Sequence, residues 1–322
     1  MLAIRAICIL CSVLILTACS ASKPKEPLRV GFNPWPGYEF LYLAKMKGFY
    51  EKAGLDVKLI ELNSLGDVRR AFERGQIDVM ATTLVEVAVA AENSGKKIKV
   101  VAVVDTSAGA DVMIARKPLA SVQALAGKRV GMEGITVDVL NAHYALQSAK
   151  LSLKDVQVVT LAQDDLMQEL EAGRLDAVQT YPPYSIKLLA DQRYQAVFDT
   201  SKIAGKVIDV ISVDAQVLEN RPQDIKALVH SFFAAMDDFK VNRQADAHLM
   251  GARSGGNAES YLAGLDGLQL IDQTDQVKYL QANGLARQSL QETGAALQAA
   301  GVLKKPLQAD AFLTDQTLAF YQ

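Results

Sequence analysis

The chain has 322 residues, half of them hydrophobic, with 34 Lys and Arg against 36 Asp and Glu and a formal net charge of −2. That balance excludes a phosphate-tracking nucleic-acid surface, because the densest basic group, Lys96, Lys97 and Lys99, sits in a connection before a strand and reads as a solvated loop. All three cysteines fall within the first 19 residues, so the rest of the chain carries neither a disulfide framework nor thiol chemistry.

The first segment has a single charge, Arg5, then an apolar run from Ala6 to Leu16 and the sequence Leu16-Thr17-Ala18-Cys19. The run is about half of the roughly 20 apolar residues that a membrane-spanning helix needs, so residues 1–18 read as a signal peptide. Leu-Thr-Ala-Cys resembles a bacterial lipobox, which implies lipidation of Cys19 and attachment to the membrane through that lipid alone. Residues 19–27, rich in Ser, Lys and Pro, read as a tether that cannot build a core. Loss of residues 1–18 removes only Arg5 among the charged side chains, leaving 33 basic and 36 acidic groups, net −3.

About 300 remaining residues exceed what one core usually holds, which predicts two lobes. Leu28 to Phe32 reads as a strand, followed by the loop Asn33-Pro34-Trp35-Pro36-Gly37 and a helix from about Tyr38 that stops at Gly48. Leu55 to Leu62 alternates as a strand. The pattern repeats with a helix at Asp67 to Arg74, a strand at Gln76 to Ala81, a helix at Leu84 to Asn93 and a Val-rich strand at Ile98 to Val104. Such continuous apolar strands between helices predict parallel sheets covered on both faces. A second series follows: strand Lys128 to Met132, helix Thr136 to Ala149, strand Val156 to Thr160, helix Asp165 to Ala172 and strand Leu175 to Gln179. An internal echo pairs the two series, since Phe72-Glu73-Arg74-Gly75-Gln76-Ile77-Asp78-Val79 matches Leu170-Glu171-Ala172-Gly173-Arg174-Leu175-Asp176-Ala177. A strand returns at Lys206 to Val213. From Pro222 onward everything reads as helical, with Ile225, Leu228, Val229, Phe232, Phe233, Met236 and Phe239 forming a core-facing stripe.

The ordered set "GFNPWPGYEFLYLAKMKGFYEKAGLDVKLIEL", "FERGQIDVMATT", "LAGKRVGMEGIT" and "EAGRLDAVQTYPPY" resembles the solute-binding proteins of the nitrate, sulfonate, taurine and thiamine-precursor importers, over roughly residues 28 to 215. The resemblance implies a type II periplasmic binding protein fold, α/β, with two lobes joined by two crossover segments and the ligand held between them. It places the crossings near Arg116 to Ser121 and Gly205 to Asp214. Lobe one is then 28–117 plus 214–322, and lobe two 118–213. The closed form would be presented to an ABC permease and its ATPase.

In open parallel sheets, ligands lie beyond the carboxyl ends of the strands. The candidates are therefore Asn33, Trp35, Gly37, Tyr38 and Glu39 after the first strand, Thr82, Thr83 and Glu86 after the third, and Asp105 and Ser107 after the fourth. Glu133, Gly134, Ile135 and Thr136 follow in lobe two, with Tyr181 and Tyr184, and Asp209 lies near the second crossing. Trp35, the only tryptophan, sits between two prolines, either as a wall facing the ligand or as a lid on the first helix. Gly134-Ile135-Thr136 suits an oxygen of a ligand and equally suits plain capping by Thr136. Acidic residues and rings dominate these positions and no Arg or Lys stands among them, which favours an amine-bearing or heteroaromatic ligand over a small inorganic anion. At Tyr181-Pro182-Pro183-Tyr184 the chain departs from a pattern in which relatives often place an acidic residue before the second proline.

His143, His230 and His248 lie in helical segments without metal-ligand spacing, and neither a phosphate loop nor a nucleophile elbow is present. The reading is a non-enzymatic, monomeric receptor without cofactor or metal; the alternatives are a sensor for a membrane signalling protein and an anchored enzyme of the same fold.

Overall fold

The computed structural model describes residues 26–321. The expected signal peptide, the lipidation site Cys19 and most of the tether lie outside the described residues.

Two sheets organise the chain. In the first, β1 (Leu28–Phe32) lies between β2 (Val57–Glu61) and β3 (Val79–Thr83), all parallel. They are connected by α1 (Glu39–Met46), the single turn α2 (Phe49–Lys52) and α3 (Leu65–Glu73). After β3, α4 (Leu84–Ser94) leads into β4 (Ile98–Ser107). Every residue of β3 is buried, and of β4 only Lys99 is partly exposed, as strands covered on both faces require. Helix starts follow local chemistry: Ser64 caps α3 by accepting the Asp67 N–H at 3.1 Å, and Thr83 and Glu86 form a capping box at α4.

The second sheet has the order β7-β6-β8-β5-β9. Its elements are β5 (Val112–Arg116), β6 (Arg129–Met132), α5 (Val137–Ser148), β7 (Gln157–Thr160), α6 (Gln163–Glu171), β8 (Ala177–Thr180), α7 (Tyr184–Leu189) and β9 (Tyr194–Asp199). The chain then returns to the first sheet as β10 (Ile208–Asp214), wedged antiparallel between β3 and β4.

The two sheets share one plan. Each has a central strand flanked by two parallel partners, and one of those partners pairs with an antiparallel strand, β10 in the first and β5 in the second. The internal echo has a structural basis in matching bonds. Arg29 donates its N–H and Nε to Asp78, both at 3.0 Å, and a guanidinium nitrogen to the Gly75 carbonyl at 2.9 Å. Arg129 repeats this with Asp176, at 2.9 and 3.0 Å, and with the Gly173 carbonyl at 3.0 Å. Gly75 and Gly173 both take positive φ, 70° and 76°, so that helix can turn into strand within three residues.

Sheet membership moves the crossings. They fall between Ser107 and Val112 and between Asp199 and Ile208, rather than at Arg116 to Ser121 and Gly205 to Asp214. The first is a four-residue link, Ala108-Gly109-Ala110-Asp111, that reads in sequence like an ordinary turn. The two crossings lie side by side, tied by a 2.6 Å hydrogen bond between the Ser107 and Thr200 hydroxyls and by the Gly109 N–H donating to Thr200 at 2.9 Å.

The remaining chain packs on lobe one as α8 (Ala215–Asn220), α9 (Pro222–Val241), α10 (Arg243–Arg253), α11 (Ala258–Leu265), α12 (Gln276–Leu280), α13 (Leu285–Ala299) and α14 (Asp315–Leu318). Pro222 opens α9, and its whole apolar stripe is buried, with Phe232 and Phe239 edge-on to Phe40 of α1 at 6.0 and 5.4 Å between ring centres. Contrary to the sequence reading, this stretch is not purely helical: β11 (Leu268–Leu270) adds an antiparallel strand to β4. Past β11 the side chain of Gln276 takes over the edge, accepting the Val103 N–H and donating to the Val103 carbonyl, each at 2.8 Å.

Candidate ligand-binding cleft

The carboxyl ends of β1, β3 and β4 face those of β6 and β8 across the interlobe cleft, and the lobes are closed on one another. Contacts span the cleft, among them Glu86 Oε1 accepting the Val137 N–H at 2.8 Å and the Trp35 ring lying edge-on to Tyr181 at 6.0 Å. Between them remains a cavity of about 10 Å³ open to the centre of a water, room for one such molecule.

Asn33, Trp35, Tyr38, Thr83, Tyr181 and Asp209 line this cavity, as expected from the strand-end rule. Trp35 Nε1 donates to Asp105 Oδ2 at 3.0 Å, and the Tyr38 hydroxyl donates to Asp209 Oδ1. Gly37 is required by close approach, since a Cβ there would sit 2.0 Å from Asp105 Oδ2. Asp105 and Asp209 stand directly opposite each other in the β4–β10 register. Like charges in that position repel, and both groups are buried.

Glu86 lies one layer back, accepting from the Thr83 hydroxyl and, at 3.4 Å, from Thr82 Oγ1. In lobe two, Tyr181 donates to Glu133 Oε2 at 3.1 Å. The other expected residues serve the framework. Ser107 is engaged in the crossing and Gly134 packs against Thr160. Thr136 donates to the Glu133 carbonyl at 3.0 Å and accepts the Asp138 N–H at 3.3 Å, the capping alternative. Glu39 turns away from the cavity into an ion pair with Arg253.

Four lining residues escaped the sequence reading: Leu65, Asp111, Val137 and Val207. Leu65 follows the end of β2, so the strand-end rule applied to the second strand finds it. Asp111 lies in the first crossing, which the sequence reading placed too far along the chain, and Val207 lies in the second, inside the expected crossing but not named among the candidates.

Burial dominates the electrostatics. It pushes the carboxyls of Asp105, Asp111 and Glu133 up to about 7 and holds Asp209 and Asp138 well above the usual carboxylate range, with the Asp105 charge adding to the burial of Asp209. Buried acceptor oxygens without a fixed partner lie on the lining residues Asn33, Asp111 and Asp209, and on Asp105 opposite Asp209, to which the Asp209 carboxyl can donate while it is protonated. A site with spare acceptors and aromatic walls suits a ligand that brings donors, positive charge and a flat apolar face. Among the described residues, no group of three His, Cys, Asp or Glu is arranged to hold a metal ion.

The model of the NMT1-like family matches residues 21–251. The fold is similar to that of the periplasmic aliphatic sulphonate binding protein SsuA from Escherichia coli, at 19% identity and a TM-score of 0.74 over 90% of this chain and 92% of that one. It is also similar to the alkanesulfonate-binding protein SsuA from Xanthomonas axonopodis pv. citri bound to MOPS, at 16% identity and 0.77 over 89% and 98%. The desulfurization enzyme DSZB shares the fold as well, at 16% identity and 0.64 over 91% and 98%. No curated protein matches the sequence.

Proposed function

Because the chain belongs to the NMT1-like family, we propose that it is an extracytoplasmic solute-binding protein that closes its lobes on a small amine-bearing or heteroaromatic molecule and presents the closed form to an ABC permease and its ATPase. Lipid on Cys19 would hold this monomer at the membrane surface. The likeness to two sulfonate-binding proteins supports the receptor class, and the cleft chemistry argues for a different ligand. A sulfonate needs hydrogen-bond donors, whereas this cleft offers acceptors. Because DSZB is an enzyme, the fold alone does not exclude catalysis. Two features favour binding: the chain has no cysteine beyond Cys19, and His230, on α9, is engaged with the Phe320 carbonyl at 2.8 Å.

The observation that carries the ligand class is the opposed pair Asp105 and Asp209, each with an unpartnered buried oxygen. A protonated amine between them replaces repulsion with two charge-assisted hydrogen bonds. Both carboxylates belong to lobe one, so the amine favours the closed form through what it also touches of lobe two, Tyr181 and Val137, the differential contact that a ligand needs to shift a two-state equilibrium. Trp35, Tyr38 and Tyr181 provide faces for a ring or for the ammonium itself.

Thermal unfolding across a panel of amines, pyrimidines, sulfonates, nitrate and amino acids tests this. A binder of the native state at about 100 times its Kd stabilises it by about 2.7 kcal/mol. A rise in midpoint with amines or heterocycles is expected; a rise with nitrate or sulfonates alone refutes the ligand class and leaves the receptor class standing.

A further inference from the structure

Trp35 also faces a second chamber on its outer side, with about 120 Å³ open to the centre of a water against about 10 Å³ inside. Its walls come from both lobes and from the C-terminal helices: Pro34 and Pro36 of the first loop, Pro182 and Ile186 of lobe two, and Tyr261 and Gly264 of α11. The Tyr261 hydroxyl faces away from ligand chemistry, since it donates to the Pro36 carbonyl at 3.0 Å. Gly264 sits at the seam of the closed lobes, where a Cβ would lie 2.9 Å from Pro36 and 3.6 Å from both Pro182 and Ile186.

The carboxylates around this chamber are already answered. Glu39 is paired with Arg253, which also meets Glu61 at 2.6 Å, and Lys187 lies at the rim. An ammonium group therefore has no unpaired carboxylate to meet outside Trp35, while the unpartnered carboxylate oxygens lie inside it. The inner cavity has room for a head group and the outer one for an apolar body.

We infer that the two chambers form one bipartite site for an elongated amine, with its ammonium head at Asp105 and Asp209 and its alkyl or aryl body passing Trp35 into the outer chamber. This rests on the amine reading above and adds to it a length and polarity for the substrate. Occupation of the outer chamber would bridge the lobes, so that the apolar body contributes to closure while the head is held by lobe one.

Titration of the protein with n-alkylamines from ethylamine to heptylamine, and with phenethylamine, separates the two ideas. The expected result is an affinity that rises about fourfold for each methylene buried beyond the head group. Ile186→Phe, a change at a half-exposed position of α7 that fills the chamber, should collapse the ratio of heptylamine to ethylamine affinity towards one. Ile186→Ala should preserve the ratio or raise it for phenethylamine. Amine binding that is independent of chain length, or a ratio that survives Ile186→Phe, overturns the bipartite site and leaves the amine reading intact. Binding by none of the amines overturns both.

Discussion

Asp209→Asn removes one of two carboxylates that the β4–β10 register sets face to face. The amide is of similar size and can still accept from the Tyr38 hydroxyl, so packing is largely kept. Directly opposed cross-strand side chains are separated by about 5 Å, and two unit charges at that distance repel by about 3 kcal/mol at an effective dielectric constant of about 20. The pH window follows from the raised carboxyls. Burial lifts Asp105 from 3.8 to about 7 and raises Asp209 well above its ordinary value too. A carboxyl whose pKa is raised on folding contributes stability that is fully present below the unfolded value and lost as pH rises through the folded one. The unliganded wild-type protein should therefore lose stability between pH 5 and pH 8, and the variant should lose less. At roughly 2–4 °C per kcal/mol, the advantage of the variant over wild type in melting temperature should grow by several degrees from pH 5 to pH 8. Its affinity for amines at pH 8 should fall by about 10-fold to 100-fold, the worth of one hydrogen bond to a charged group. Thermal unfolding at four pH values, with titrations followed by the emission of the single tryptophan, Trp35, measures both. An equal shift in midpoint at pH 5 and pH 8, or an unchanged amine affinity, would refute the reasoning.

Amine binding by the wild-type protein should strengthen with pH, by up to about tenfold per unit below the carboxyl pKa of about 7 and flattening above it, because each bound cation displaces a proton; calorimetry in buffers of different ionisation enthalpy counts that proton. Gly37→Ala places a methyl group 2.0 Å from Asp105 Oδ2, so it should destabilise the fold by about 1–3 kcal/mol and weaken amine binding by breaking the Trp35–Asp105 bond. Gln276→Leu strips both partners from Val103 at the β4 edge and should destabilise by about 2–4 kcal/mol in chemical denaturation, with amine affinity unchanged in the folded protein.

Much of lobe one could be read from local chemistry. β1, β3 and β4 are mostly apolar up to their carboxyl ends, broken before those ends only by Arg29 and Lys99, because both of their faces are covered, and the glycines at 48, 75 and 173 end turns or helices where the chain must take positive φ. That sufficed to locate strand ends, and with them Asn33, Trp35, Tyr38, Thr83, Tyr181 and Asp209, six residues that do meet at one cavity. The same locality explains the misses. β5, β9 and β11 are strands of three to six residues whose pairing comes from distant segments, so their own sequences carry little periodicity. Whether Ser107 to Val112 turns back on its own sheet or crosses to the other depends on partners about a hundred residues away, such as Thr200.

The amino-acid sequence by itself determined the class of fold, its two-part plan and the acidic, aromatic character of the strand ends, because each follows from periodicity, turn residues and composition within one segment. Tertiary structure alone decided that Asp105 faces Asp209, that Thr136 caps a helix and Ser107 holds a crossing, and that helix α11 closes the outer chamber. Those outcomes depend on strand register and on the docking of one lobe against the other, and no single segment encodes them.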